Sequence, residues 1–315
     1  MIKLSDLHLL QRIWLEVLWA SVWLFSVLPY WVKFYFFEPL IYFLLYRVLH
    51  YRRKVILENL RNSFPEKRDE ELEPIIRGFY HNLSEVFIGT FNMAHMPDKK
   101  VRRYYKMTNL EEIFPHCEGR DIIVAFAHQG LWELGCFFSM DNPKYEAIGV
   151  YHQLRSKVLD LFYQRLRSTP YSTPVQKKES MMFYLRHRDE GVRGRRIAFG
   201  LIADQNPKHR DNHHWCDFLH RETPVFIGTE RIGKQVDALI YYADVKRTRR
   251  GYYLCEFKPL THRPKEVPDY ELTDRFTHLL EEMIKERPDF WLWSHKRWKR
   301  TKEEWIRRQQ EEEKK

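Results

Sequence analysis

The segment Ile122-Ile123-Val124-Ala125-Phe126-Ala127-His128-Gln129-Gly130-Leu131-Trp132-Glu133-Leu134 sets an apolar run directly against a histidine, with a carboxylate five residues on. Such a run reads as a buried strand, so His128 falls at its carboxyl end, where open α/β sheets place their ligands. A histidine there can act as a general base. Glu133, at the start of a following helix, is the residue expected to hold one tautomer and stabilise the imidazolium. This pairing is suited to activating a hydroxyl group. No serine or cysteine nucleophile sits beside it, so the hydroxyl is assigned to a substrate. Gly130 is read as a point of close backbone approach by a ligand. On spacing alone the same histidine could equally be hydrogen-bonded into a core. The chain has no Gly-x-Ser-x-Gly, which counts against a serine hydrolase.

The elements that must position these residues alternate from residue 121 onward. Strands are predicted at 122–127, 147–151, 197–203, 238–245 and 252–257, the last two as a hairpin around Arg249-Arg250-Gly251. Helices are predicted at 158–166, 181–188, 226–234 and 270–286, and before them over 69–93. Ser63 ahead of Pro65 and Glu66 reads as a helix start. The alternation predicts an α/β fold with a mainly parallel sheet flanked by helices. Asp204 follows one strand directly, so its carboxylate also faces the ligand-bearing edge.

Residues 1–50 differ in composition from the rest. Val17 to Val32 carries no charge, and residues 13–32 approach the roughly 20 apolar residues of a membrane-spanning helix. Pro29 would kink or end such a helix. Arg47, Arg52, Arg53 and Lys54 follow, as on a cytoplasmic flank. No small-residue cleavage site follows, which disfavours a signal peptide. The competing reading is a pair of unusually apolar core helices. The expectation is an N-terminal membrane anchor over 1–50, a catalytic domain over 51–300 and a charged tail over 301–315.

The 315 residues carry a net charge of +10 and ten tryptophans, six of them near the chain ends (Trp14, Trp19, Trp23, Trp31, Trp291, Trp293), where a membrane interface would use them. The charge calls for an anionic partner. Basic runs at 193–196, 246–250 and 295–300 suit anionic lipid or an acidic protein, or are solvated faces. No nucleic-acid module is present, so no nucleic-acid partner is expected. Four cysteines without CxxC spacing fit a reducing, cytosol-facing location. The cluster His209, His213, His214, Cys216 and His220 has zinc-type ligands but no standard zinc spacing; a loop near the acceptor headgroup is preferred, and no metal is expected.

His128-Gln129-Gly130-Leu131-Trp132-Glu133-Leu134 resembles the His-x4-Glu motif of the late acyltransferases of lipid A biosynthesis. In the same order, 51–60 with 63–67 resembles the stretch after that family's membrane segment, and 151–168 resembles a middle helix ending in an arginine. Ile202-Ala203-Asp204-Gln205-Asn206 resembles its Asp-bearing strand end, and 290–299 its closing aromatic–His–basic signature. One departure is Gln129-Gly130-Leu131, where an aromatic, glycine and asparagine are more usual.

The resemblance implies a glycerolipid-acyltransferase-like fold and acyl transfer from acyl carrier protein to a hydroxyl of a phosphorylated glycolipid, the lipid A precursor. It places the enzyme at the bacterial inner membrane, catalytic domain facing the cytoplasm, with no cofactor beyond the acyl thioester. His128 and Glu133 are then catalytic, and Arg167, Asp204, His295 and Arg297 contact substrate. Arg167 and Asp204 could alternatively form a structural ion pair, and His295 and Arg297 could simply pack. Other readings are acylation of another membrane lipid, such as a glycerophospholipid or aminolipid, a lipase, and a non-catalytic basic protein that docks on membranes.

Overall fold

The computed structural model describes residues 2–117, 119–208 and 214–313. Helices α1 (Leu9–Val27) and α2 (Tyr30–Val48) open the chain, the latter with π-helical stretches at Lys33–Phe37 and Leu44–Val48. They are followed by α3 (Arg53–Ser63), α4 (Asp69–Asn92), α5 (Asp98–Tyr104), β1 (Tyr105–Thr108) and β2 (Ile122–Phe126). Next come β3 (Tyr145–Tyr151), α6 (Lys157–Arg167), β4 (Ser172–Gln176), α7 (Ser180–His187) and β5 (Arg196–Ile202). The chain continues through β6 (Trp215–Phe218), β7 (Arg221–Pro224), α8 (Gly228–Val236), β8 (Leu239–Arg249) and β9 (Tyr252–Thr261), and ends in α9 (Glu271–Glu286) and α10 (Lys302–Glu313).

Seven strands form one sheet in the order β1-β9-β8-β2-β5-β3-β4. Every neighbouring pair is parallel except the β8–β9 hairpin. β2 lies at its centre and is buried at all five positions. Because alternate side chains leave opposite faces, Ile123 and Ala125 join one core while Ile122, Val124 and Phe126 join the other. This explains its unbroken apolar composition: both faces are covered by helices. The sheet and helices agree with the α/β expectation. The short strands β1 and β4 and the separate β6–β7 hairpin did not stand out from their surroundings.

Three expectations are corrected. Ser63 ends α3 rather than starting a helix. The Phe64 amide still bonds the Leu60 carbonyl, and α4 begins after Arg68, whose amide donates to Glu71. Trp291 and Trp293 are 2% and 0% exposed, so they belong to the core and not to a membrane interface. Finally, residues 13–32 do not form one spanning helix. Among the described residues no single helix is long and apolar enough to cross a membrane; there the pair α1 and α2 passes that test together, bent by 111° at the Pro29 break.

Candidate active site

His128 and Asp204 stand side by side because β2 and β5 are parallel neighbours in a constant register. Phe126 pairs with Ile202, and two residues further on each strand the chain reaches His128 and Asp204. The Ala203 amide donates to the Phe126 carbonyl at 3.0 Å, extending the ladder to the point where both side chains leave the sheet edge. His128 Nδ1 lies 2.7 Å from Asp204 Oδ1, and the His128 amide donates to Oδ2 at 2.9 Å. The Trp291 indole N–H also donates to Oδ2, at 2.8 Å. Burial pushes the Asp204 carboxyl upward, but the His128 charge and these three donors outweigh it and hold it below the usual carboxylate range. An ionised Asp204 accepts from Nδ1, so in the neutral imidazole the lone pair falls on Nε2. Gln205 Nε2 lies 3.1 Å from that atom, and the Trp132 ring meets the imidazole edge-on at 4.9 Å. The imidazole is 16% exposed and reachable from outside.

The carboxylate beside His128 is therefore Asp204, and Glu133 does not make that contact. Glu133 opens the 3-10 helix Trp132–Met140, which turns its side chain toward the end of α6. There it takes two hydrogen bonds from Arg167, from Nε at 2.8 Å and Nη2 at 2.6 Å, both groups being largely buried. Arg167 also lies over the Tyr163 ring at 5.1 Å. The alternative of an Arg167–Asp204 ion pair is likewise not what forms. Two separate pairs exist, His128–Asp204 and Glu133–Arg167, with His128 and Glu133 both on the connection between β2 and β3.

The rest of the segment is committed to structure. Gln129 is fully buried, donating to the Ala243 carbonyl at 2.8 Å and accepting from the Tyr242 hydroxyl at 2.8 Å. Gly130 has φ +49, and an added Cβ would fall inside the Phe290 ring, so the group approaching its backbone is Phe290 and not a ligand. The Gly130 amide bonds the Phe290 carbonyl at 3.1 Å. Leu131 fills the space over Gly89. Cys136 follows Glu133 closely, but burial first, then the Glu133 charge, push its thiol up to about 12, which disqualifies it as a nucleophile.

His295 and Arg297 lie further inside than a headgroup contact requires. Arg297 is 2% exposed; its Nη2 donates to the Pro224 carbonyl at 2.8 Å, while Nε and Nη1 are buried without a partner among the described residues. Burial pulls it down to about 10, opposed by Asp204 and Cys216. His295 is half-buried with Nδ1 unpaired among the described residues, and burial lowers it to about 4 despite the opposing pull of Asp204. Of the histidine cluster, His209 and His213 lie outside the described residues. His214 bonds Asp274 at 2.7 Å and stacks on Tyr270, while Trp215 and Cys216 sit on β6. The four cysteines are free.

Four residues around His128 were not read as part of the site from the sequence: Gln205, Trp291 (taken there for a membrane-interface tryptophan), Gln129 and Tyr242. Gln205 and Trp291 lie inside stretches that carried the family resemblance, which is the signal that could have found them. A family model described as bacterial lipid A biosynthesis acyltransferase matches residues 2–300. The chain is also 24% identical, across an alignment of 312 positions that covers 94% of this chain and 95% of the relative, to the lipid A biosynthesis lauroyltransferase of Escherichia coli (strain K12).

Proposed function

This chain belongs to the bacterial lipid A biosynthesis acyltransferase family and is an acyltransferase of lipid A synthesis, and from that premise we propose a donor, an acceptor and a mechanism. The donor is the acyl thioester of acyl carrier protein, and the acceptor is a hydroxyl of a lipid A precursor at the cytoplasmic face of a bacterial inner membrane. The observation that carries the mechanism is the His128–Asp204 pair at the sheet edge. His128 Nε2 takes the proton from the acceptor hydroxyl while Asp204 stabilises the imidazolium. The oxygen attacks the thioester carbonyl carbon, the C–S bond breaks, and the imidazolium returns the proton to the leaving thiolate. No covalent acyl-enzyme forms.

Arg167 is held to Glu133 through Nε and Nη2, which leaves its Nη1 edge uncommitted among the described residues. A fixed guanidinium of this kind suits an oxyanion or a phosphate of the acceptor. Its role is to stabilise charge, and that of Glu133 is to aim it. General base catalysis supplies about 10²–10⁴-fold, so this electrostatic contribution must provide much of the remainder.

The name of the Escherichia coli relative makes a lauroyl thioester the first donor to assay. His128→Ala should abolish transfer to a lipid A precursor while the protein remains folded; retained transfer would overturn the mechanism. Mass spectrometry of lipid A from cells with and without the gene tests the acceptor. Loss of one acyl chain supports it, and an unchanged lipid A beside another lipid that has lost an acyl group moves the acceptor to that lipid.

A further inference from the structure

Helix α1 is apolar on two opposite sides, which a helix buried in one core does not need. One stripe turns inward: Leu15, Val22 and Ser26 are buried, and Trp19 meets Phe162 of α6 edge-on with Arg165 over its ring at 4.0 Å. The opposite stripe, Leu10, Ile13, Trp14, Val17 and Leu24, is 51–68% exposed. It continues past the bend in Trp31, Tyr35 and Phe36, which are 60–70% exposed. A contiguous apolar surface of this extent on a protein face marks a contact with a membrane or another protein.

The way the pair is fastened decides how it meets a bilayer. α1 is held to the catalytic domain along its length: Leu7 is buried just before it, Glu16 bonds Arg165 at 2.9 Å midway, and Phe25 packs on Phe91 near its end. α2 is fastened likewise, by Lys33 to Asn92 at 2.7 Å and by Glu38 to His81 at 2.7 Å. A helix crossing the bilayer in this arrangement would drag the charged surfaces of α4 and α6 into hydrocarbon, where unpaired charges are strongly disfavoured. Lying flat, with the domain on one side and lipid on the other, it satisfies both stripes at once.

Charge names the lipid. Arg12 and Arg47 on this segment, and Arg52 and Lys54 just after it, are exposed, whereas the acidic Glu16 and Glu38 are paired with Arg165 and Arg250. Arg249 and Arg250, exposed at the tip of the β8–β9 hairpin, reach the bend through the Tyr30 hydroxyl, which donates to the Arg250 carbonyl. Interfacial tryptophans ringed by arginines fit an anionic leaflet.

We propose that residues 9–48 lie in the plane of one anionic membrane leaflet, exposed stripe inward to the acyl chains, and do not cross the bilayer. The inference rests on the reading that the enzyme works on a membrane lipid. It implies that both chain ends lie on the same side as the active site.

The test uses the full chain with Ser5→Cys, expressed in bacterial cells and probed with a membrane-impermeant maleimide in spheroplasts. Position 5 should stay unlabelled until the membrane is permeabilised. Labelling in intact spheroplasts means that the segment crosses, which overturns the inference and leaves the membrane reading intact. A protein that does not sediment with membranes at all overturns both. A second measurement replaces Leu10, Trp14 and Leu24 by arginine, each alone, and follows binding to phosphatidylethanolamine vesicles with and without phosphatidylglycerol. Each change should weaken binding about tenfold with an unchanged melting temperature, and binding should require phosphatidylglycerol. Binding that survives all three, or that ignores phosphatidylglycerol, refutes an anionic in-plane contact.

Discussion

At the level of single residues the proposed mechanism divides the carboxylates between two tasks, and substitution separates them. Asp204→Asn keeps the shape but removes the charge that favours the imidazolium and can present an N–H where Nδ1–H must donate, so acyl transfer should fall about 10²–10⁴-fold with an unchanged circular dichroism spectrum. Glu133→Gln should act through Arg167 instead. It breaks a mostly buried bidentate pair at a cost of about 2–3 kcal/mol, the lower end because Arg167 retains some water. In double-mutant cycles His128 should couple to Asp204, and Glu133 to Arg167, with near-additivity between the pairs. Stronger coupling of Glu133 than of Asp204 to His128 would reinstate the sequence-based pairing. His128 was legible because an apolar run ends on it; its partner was not, since Asp204 lies on a different strand and only inter-strand register brings the two together. His295 supplies a pH test. Its folded value of about 4 lies below the ordinary 6.5, so the unfolded chain binds the extra proton between them. Stability should be complete above pH 6.5 and decline toward pH 4, by an amount of the order of 3 kcal/mol. Asp204, depressed from 3.8, adds stability that is lost only below that value. Thermal melts at pH 4.5 and 7 should differ less in His295→Gln than in the wild type; equal differences would refute the assignment.

At the level of elements, the connection after β2 is held by the chain's closing segment. Gln129 bridges Trp291, Gly130 accepts the ring of Phe290, and Trp291 reaches Asp204. At Gln129-Gly130-Leu131, a buried glutamine with two committed partners and a leucine seated on Gly89 are taken up by packing beside His128. Gly130→Ala meets both a left-handed φ and the Phe290 ring, so it should cost about 2–4 kcal/mol by denaturant unfolding. It should also lower transfer further than the stability loss explains, because His128 is two residues away. Full activity in a folded Gly130→Ala protein would show that the connection does not set the geometry of the base. Long periodic elements such as α4 and α9 were readable along the chain within a residue or so. β1 and β4 were not: each is four or five residues long at a sheet edge, about half its residues polar, and exists by pairing with one neighbour, β9 for β1 and β3 for β4.

At the level of the whole molecule, composition separates residues 1–50 from the rest, yet the folded structure joins them. Leu7, Leu15, Val22, Phe34 and Tyr46 are buried in the fold, the Phe34 ring fills the space over Gly251, and Glu73 accepts from Tyr46 and Arg53. The membrane signal and the core signal were superimposed in one apolar stretch, because α1 carries both stripes, and periodicity alone cannot separate two apolar faces. A detachable anchor and an integral layer of the fold predict different outcomes on truncation. Five buried apolar side chains contribute about 1.5–3 kcal/mol each as an upper estimate, together comparable to the whole stability of a typical domain. Residues 51–315 should therefore melt at least 10 °C lower than the full chain in the same detergent, or fail to fold. The newly bared faces of α4 and α6 should also bind a hydrophobic dye. Since Glu16 and Trp19 brace Arg165 on the helix that ends in Arg167, any folded remainder should lose transfer activity even with a water-dispersed acceptor. A truncated protein that melts with the full chain and turns over a dispersed acceptor at its rate would make the segment a tether and nothing more.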